Sequence, residues 1–225
     1  MKKFLISLCC LFATGSMVMA QTATFELSKK EKKQGFEVLF DGTNLDKWQG
    51  NKEAYTVKDG CIKLDPTKRG GNIYTQKEYS DFIYRFEFKL VPGANNGVGI
   101  RTVKGKDAAY VGNEIQILDC EHERYKNLNI WQHHGSVYGI IPASEKHKKI
   151  IKPVGEWNKE EIYIKGDYIR VKVNGKVITE GNIKEEIEKG TIDKRKHVYR
   201  EKGLISFCGH GSPVEFRNIR IKELK

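Results

Sequence analysis

The chain has 225 residues, of which 39% are hydrophobic and 31% charged, and its 40 Lys and Arg outnumber 29 Asp and Glu to give a formal charge of +11. That length fits one large domain or a domain with appendages. The lysines are scattered, as in Lys29-Lys30-Glu31-Lys32-Lys33, and the one dense run, Lys194-Arg195-Lys196-His197, has no interleaved aromatics. The charge therefore describes a solvated surface and leaves nucleic acid out of the expected partners.

The first twenty residues read as a cleaved secretory signal. Lys2 and Lys3 precede an apolar run, Phe4 to Ala13, that is too short to span a bilayer, and Val18-Met19-Ala20 supplies a peptidase site before Gln21. The expected location is periplasmic or secreted, and no later stretch has the pattern of a transmembrane segment. Residues 21–34 are polar and lysine-rich, an arm ahead of a domain covering 35–225. Beyond the signal, Cys61, Cys120 and Cys208 form an odd set without CxxC spacing, which argues against a disulfide scaffold and a structural zinc site.

From Gly35 onward short β-type runs alternate with turn residues. Phe36–Phe40 ends at Asp41-Gly42. Tyr55–Lys58 and Cys61–Leu64 flank Asp59-Gly60 as a hairpin, and Asn72–Thr75 follows Gly70-Gly71. Phe82–Leu90 alternates with period two, so Phe82, Tyr84, Phe86, Phe88 and Leu90 share one buried face. Gly97–Arg101 and Asn113–Asp119 are the next strands, and Val137–Ile140 a shorter one. Glu161–Ile164, Tyr168–Val173 and Lys176–Thr179 form a meander turning at Gly166-Asp167 and Asn174-Gly175. Asn182–Lys189 is the one expected helix. Gly203–Cys208 and Val214–Leu224 close the chain, with a change of phase that requires a bulge near Arg217-Asn218. So many short strands predict an all-β sandwich or barrel.

Within Asn113–Asp119, Ile115 and Ile117 take one face while Glu114 and Gln116 take the other. Glu114 and Asp119 are five residues apart, an odd separation that puts them on opposite faces of a regular strand, so they do not flank one glycosidic bond as paired carboxylates must. A single glutamate acting as a base remains compatible. The glycines of Asn96-Gly97-Val98-Gly99-Ile100-Arg101 suggest close approach to the backbone, with Arg101 at the rim of a ligand groove or simply exposed at a bulge. Six histidines are present, and no HExxH or other compact spacing identifies a metal. A loose site made of Glu114, Asp119 and a histidine would suit a divalent cation without specifying one.

In these stretches the chain resembles the bacterial 3-keto-disaccharide hydrolase family. The resemblance rests on five segments in order: Phe40-Asp41-Gly42 through Trp48, Asn96 to Arg101, Asn113 to Asp119, Lys152 to Asn158, and Gly209-His210-Gly211 through Ile219. It implies a concanavalin A-like jelly-roll sandwich of two antiparallel sheets with a carbohydrate on the concave face. It also implies action on 3-keto glycosides, whose ketone acidifies the C2 proton so that one base suffices for elimination before water adds. Carried onto this sequence, it implies Glu114, His210 and His122 as catalytic candidates. Asn96, Arg101, Gln116, Asp119 and Tyr138 are the candidates for holding substrate. Cys120 and the His133-His134 pair depart from the family's pattern. A non-catalytic carbohydrate-binding module on the same fold is the alternative, with Trp48, Trp131 and Trp157 as its candidate platform.

Overall fold

The structure is a computed structural model describing residues 24–68 and 70–225, so the signal segment lies outside the described residues. Its strands are β1 (Glu37–Phe40), β2 (Trp48–Gly50), β3 (Tyr55–Lys58), β4 (Cys61–Leu64), β5 (Ile73–Thr75), β6 (Phe82–Lys89) and β7 (Asn95–Thr102). They continue with β8 (Asn113–Leu118), β9 (Trp157–Lys165), β10 (Tyr168–Val173), β11 (Lys176–Asn182), β12 (Leu204–Cys208) and β13 (Glu215–Glu223). Two antiparallel sheets result. The larger runs β11-β10-β9-β6-β13-β4-β3, with β1 also paired to β13, and the smaller runs β2-β5-β12-β7-β8. This is the expected jelly-roll sandwich. No helix among the described residues is long and apolar enough to cross a membrane.

The sheets meet through the faces that alternation assigns inward. Phe82, Tyr84, Phe86 and Phe88 of β6 are at most 1% exposed. Across the layers, Phe207 of β12 stacks on Phe216 of β13 at 4.0 Å between centroids, and within the smaller sheet Trp48 stacks on Phe207 at 5.3 Å. Each such pair adds about 1 kcal/mol to the area it removes from water. The turns carry the conformations their residues favour: Asp59-Gly60 and Asn174-Gly175 both have positive φ throughout, as a type I′ hairpin requires. The phase change in β13 is a bulge at Asn218, φ 54°, where the register with β6 shifts between Arg217 and Arg220.

Two expectations change. Val137–Ile140 is not a strand. Val137 makes isolated bridges to Ile115 and Ile141, because Gly139 turns the chain at φ 71°. The N-terminal arm is docked onto the large sheet. Helix α1 (Lys29–Gln34) is closed by a Ser28–Glu31 capping box. Glu31 also accepts from Arg220 at 2.6 Å and pairs with Arg85 at 3.4 Å, while Arg220 lies over the Phe25 ring.

Burial alone would raise the Glu31 carboxyl. The hydrogen bonds from Arg220 and Ser28 and the Arg220 charge outweigh it and hold the group at about 2, against an ordinary 4.5. A depressed carboxylate contributes stability that is present above its unfolded value and lost as pH falls through the folded one. Glu31→Gln is therefore expected to lower unfolding free energy at pH 7 by about 1–3 kcal/mol. Denaturant titrations should show that deficit shrinking between about pH 4.5 and 2.

Candidate active site

On the outer face of the small sheet the strand registers set a short row of polar groups around two glycines. Gly99 lies between Glu114 of β8 and Ser206 of β12, and Gly97 lies between Gln116 and Cys208. The opposite parity of these strands, Val98, Ile115, Ile117, Ile205 and Phe207, enters the core. A Cβ on Gly97 would land on Oε1 of Glu114, so the carboxylate lies across the space that the missing side chain leaves. Glu114 is thereby 5% exposed on a face that loops cover, and Gln116, also 5% exposed, donates to Asn95 Oδ1 at 3.0 Å.

A buried carboxylate needs partners. His210 supplies the main one, with Nε2 3.0 Å from Glu114 Oε1. The loop bearing His210 is seated by close backbone packing: Gly209 donates to Asn72 Oδ1 at 3.1 Å, and a Cβ there would strike Gly71. The bond to Glu114 raises the His210 pKa above the ordinary histidine value, against the opposing effect of burial and with help from the charges of Glu114 and Asp107. Burial, and then the charge of Glu114, raises the Cys208 thiol well above its usual range, so it stays protonated beside the carboxylate. The geometry is that of a carboxylate orienting an imidazole, with Nδ1 left to exchange a proton.

Residues 135–138 cover the free edge of β8. Gly135 donates to Gln116 O, Gln116 to Ser136 O and Tyr138 to Glu114 O, at 2.7, 3.1 and 2.9 Å. The Tyr138 phenol accepts from Gln132 Nε2 at 3.3 Å and packs edge-on against Trp131 at 5.2 Å. Arg195 lies over the Tyr110 ring at 4.5 Å and pairs with Asp193 at 3.3 Å. Burial pushes the Tyr110 phenol up to about 12, even beside Arg195, so it remains a donor.

The structure pairs the Glu114 and His210 side chains, sets Gln116 on the same face and ties the Tyr138 backbone to that of Glu114, and it places the other candidates elsewhere. Arg101 is fully buried and clamps a distant turn, with bonds to Ser80 O, Asp81 Oδ1 and Arg200 O at 3.0, 3.0 and 3.3 Å. Its φ of 52° marks a bulge between the Gly99 and Thr102 pairings, which turns the guanidinium off the outer face. Asn96 has the parity of Val98 and Ile100, is fully buried, and accepts from the Gly97 N–H at 2.8 Å. Asp119 lies five residues beyond Glu114, about 16 Å along the strand, and braces the 91–95 loop through the Gly93 N–H at 2.9 Å. His122 accepts from Arg124 N at 3.3 Å and caps the short helix Glu123–Tyr125. A cation site from Glu114, Asp119 and a histidine therefore does not form. Trp48 is core, and Trp157 lies under Arg217 on the large sheet, which leaves Trp131 alone of the proposed platform near Glu114.

Cys208 and Ser206 were legible as the polar parity of β12, whereas Asp107, Tyr110 and Arg195 arrive on loops that carry no such pattern. Residues 35–222 match the family model of the 3-keto-alpha-glucoside-1,2-lyase-like domain. The chain belongs to this family. It is 27% identical over 236 aligned positions to a Bacteroides thetaiotaomicron protein named 3-keto-disaccharide hydrolase, covering 84% of this chain and 79% of that one. Two Parabacteroides distasonis crystal structures, both provisionally described as glycosyl hydrolases, share the fold. One has a TM-score of 0.77 at 26% identity over 89% of this chain and 99% of its own, and the other 0.73 at 30% identity over 84% and 99%.

Because Glu114 occupies the space above Gly97, Gly97→Ala must displace the carboxylate from His210. An NMR titration should find the His210 pKa raised in the parent and returned toward its ordinary value of 6.5 in the variant. An unchanged titration would contradict the pairing.

Proposed function

We propose that this chain cleaves 3-keto glycosides by elimination across C1–C2 followed by hydration, outside the cytoplasm after removal of its leader. The observation that carries the reading is the His210–Glu114 pair. Retaining and inverting glycosidases need two carboxylates across the scissile bond, but here Glu114 Oε1 is engaged by the imidazole at 3.0 Å. One oriented base is sufficient when a ketone at C3 makes the C2 proton acidic. Family membership and the name of the Bacteroides relative support the same substrate class.

In this scheme His210 takes the C2 proton on Nδ1, and Glu114 stabilises the imidazolium that forms. Negative charge moves to the C3 oxygen, for which the Tyr138 phenol, on the segment that covers the edge of β8, is the candidate donor. The C1–O bond breaks as C1=C2 forms, and the departing oxygen receives the proton from His210. Water then adds its oxygen to C1 and a proton to C2, so the sum of the steps is hydrolysis. Gln116 and Asn95 line the same face and suit sugar hydroxyls.

Isotope labelling separates this route from direct hydrolysis. Turnover of a 3-keto disaccharide in D2O is expected to place deuterium at C2 of the released keto sugar in every product molecule. Direct displacement at C1 would leave that position protonated. His210→Ala should abolish both turnover and exchange, and full activity in that variant would overturn the role of the imidazole.

A further inference from the structure

Away from the Glu114–His210 pair, three side chains from separate segments converge on one point. Cys120 follows β8, His133 follows the short helix Ile130–Gln132, and His147 opens the helix His147–Ile150. One ligand atom from each lies within 4.8 Å of the others. None takes part in the proposed sugar chemistry, and His133 and Cys120 stand where the sequence leaves the family's pattern.

The hydrogen bonds around the cluster decide what it can hold. His147 is fully buried, and its Nδ1 is 2.7 Å from the Ser144 carbonyl, which can only accept. Nδ1 therefore carries the proton and Nε2 a bare lone pair, and that Nε2 is buried without a hydrogen-bond partner. In His133 the buried Nδ1 also has no hydrogen-bond partner. An imidazole fixed by a backbone carbonyl with its other nitrogen unused is the outer arrangement that metal-bound histidines show, and here a second unpartnered imidazole nitrogen lies beside it. Unpartnered buried nitrogens otherwise carry a desolvation cost. Cys120 Sγ accepts the His134 N–H at 3.1 Å, a contact that strengthens as the sulfur becomes anionic.

We propose that Cys120, His133 and His147 form a binding site for a zinc(II)-class cation, with one coordination position left open. A thiolate with two imidazoles is a borderline-soft donor set that suits zinc. Zinc–nitrogen and zinc–sulfur bonds of about 2.0 and 2.3 Å imply ligand separations of about 3.3–3.6 Å, so side-chain movements of about 1 Å close the site. Binding expels the Cys120 thiol proton to solvent and joins the sulfur to the metal, with no change of oxidation state. A cavity of about 300 Å³ reaches Cys120 and His147 and gives a water access to the fourth position.

The consequence is a staple. The metal would tie the end of β8 to the loop that carries Trp131 and Tyr138, fixing one wall of the sugar site without touching the sugar. The test is direct zinc titration of chelator-stripped full chain by calorimetry, with cobalt(II) as a spectroscopic probe. One zinc per chain with proton release, and a thiolate-to-cobalt charge-transfer band in the near ultraviolet, are expected. Cys120→Ser should remove the band, and it and His147→Gln should each weaken zinc by ~100-fold or more. His122→Gln, close in sequence but outside the cluster, should bind as the parent does. Zinc should raise the melting temperature of the parent and leave that of Cys120→Ser unmoved. A folded parent that takes up no zinc at micromolar concentrations, or Cys120→Ser binding with parental affinity, would overturn the assignment. Neither outcome depends on whether a keto sugar is the substrate.

Discussion

The site depends on keeping a carboxylate on a covered sheet face. Glu114 is 5% exposed, and an ion so enclosed persists only where a compensating charge or donor is within reach and room exists for both. Gly97 provides the room and His210 the partner at 3.0 Å. The consequences run outward from that contact. The imidazole becomes more basic, the Cys208 thiol is held protonated, and loops 70–72 and 209–211 must interlock through glycines to keep the histidine in place. Removing His210 leaves the buried carboxylate without its main partner, whereas the His210 side chain, 45% exposed, keeps its contact with water.

The rest of the sandwich serves this arrangement. Stacked aromatics between β12 and β13 fix one sheet against the other, which in turn fixes the register that puts Gly97 and Gly99 between β8 and β12. Arg101 contributes from a distance. Its bulge ends the regular pairing of β7, and its guanidinium holds the Ser80–Asp81 turn to the segment preceding β12. The buried His134–Glu160 pair, 3.2 Å apart and wholly inaccessible, connects the loop after β8 to the core face of β9. These are structural uses of residue types that elsewhere do chemistry.

Much of this could be read from the sequence. Period-two alternation identified the strands, Asp59-Gly60 and Asn174-Gly175 the hairpins, and the phase change at Arg217-Asn218 the bulge. Glu114 and Gln116 were legible because they share a strand face opposite two core isoleucines. The bulge at Arg101 was one of two readings open in the sequence and is present at φ 52°, but its guanidinium turns inward to a buried clamp, which parity does not report. Asn96 shares the parity of Val98 and Ile100 and is buried with them. Asp119 and His122 sit beyond the end of β8, where periodicity carries no information. For the same reason Tyr110, Arg195 and the convergence of Cys120 with His133 and His147 could not be found by spacing: loop closure in three dimensions, not sequence distance, brings them together.

The central claim is that Glu114 tunes His210 rather than acting alone, and the pH dependence of kcat/KM on a 3-keto disaccharide tests it most directly. A raised histidine pKa requires activity in the parent to fall on acidification through a value above the ordinary 6.5. In Glu114→Gln the acid limb should move toward that ordinary value while the plateau drops by roughly 100-fold or more. An acid limb that stays where it was in Glu114→Gln would contradict the account.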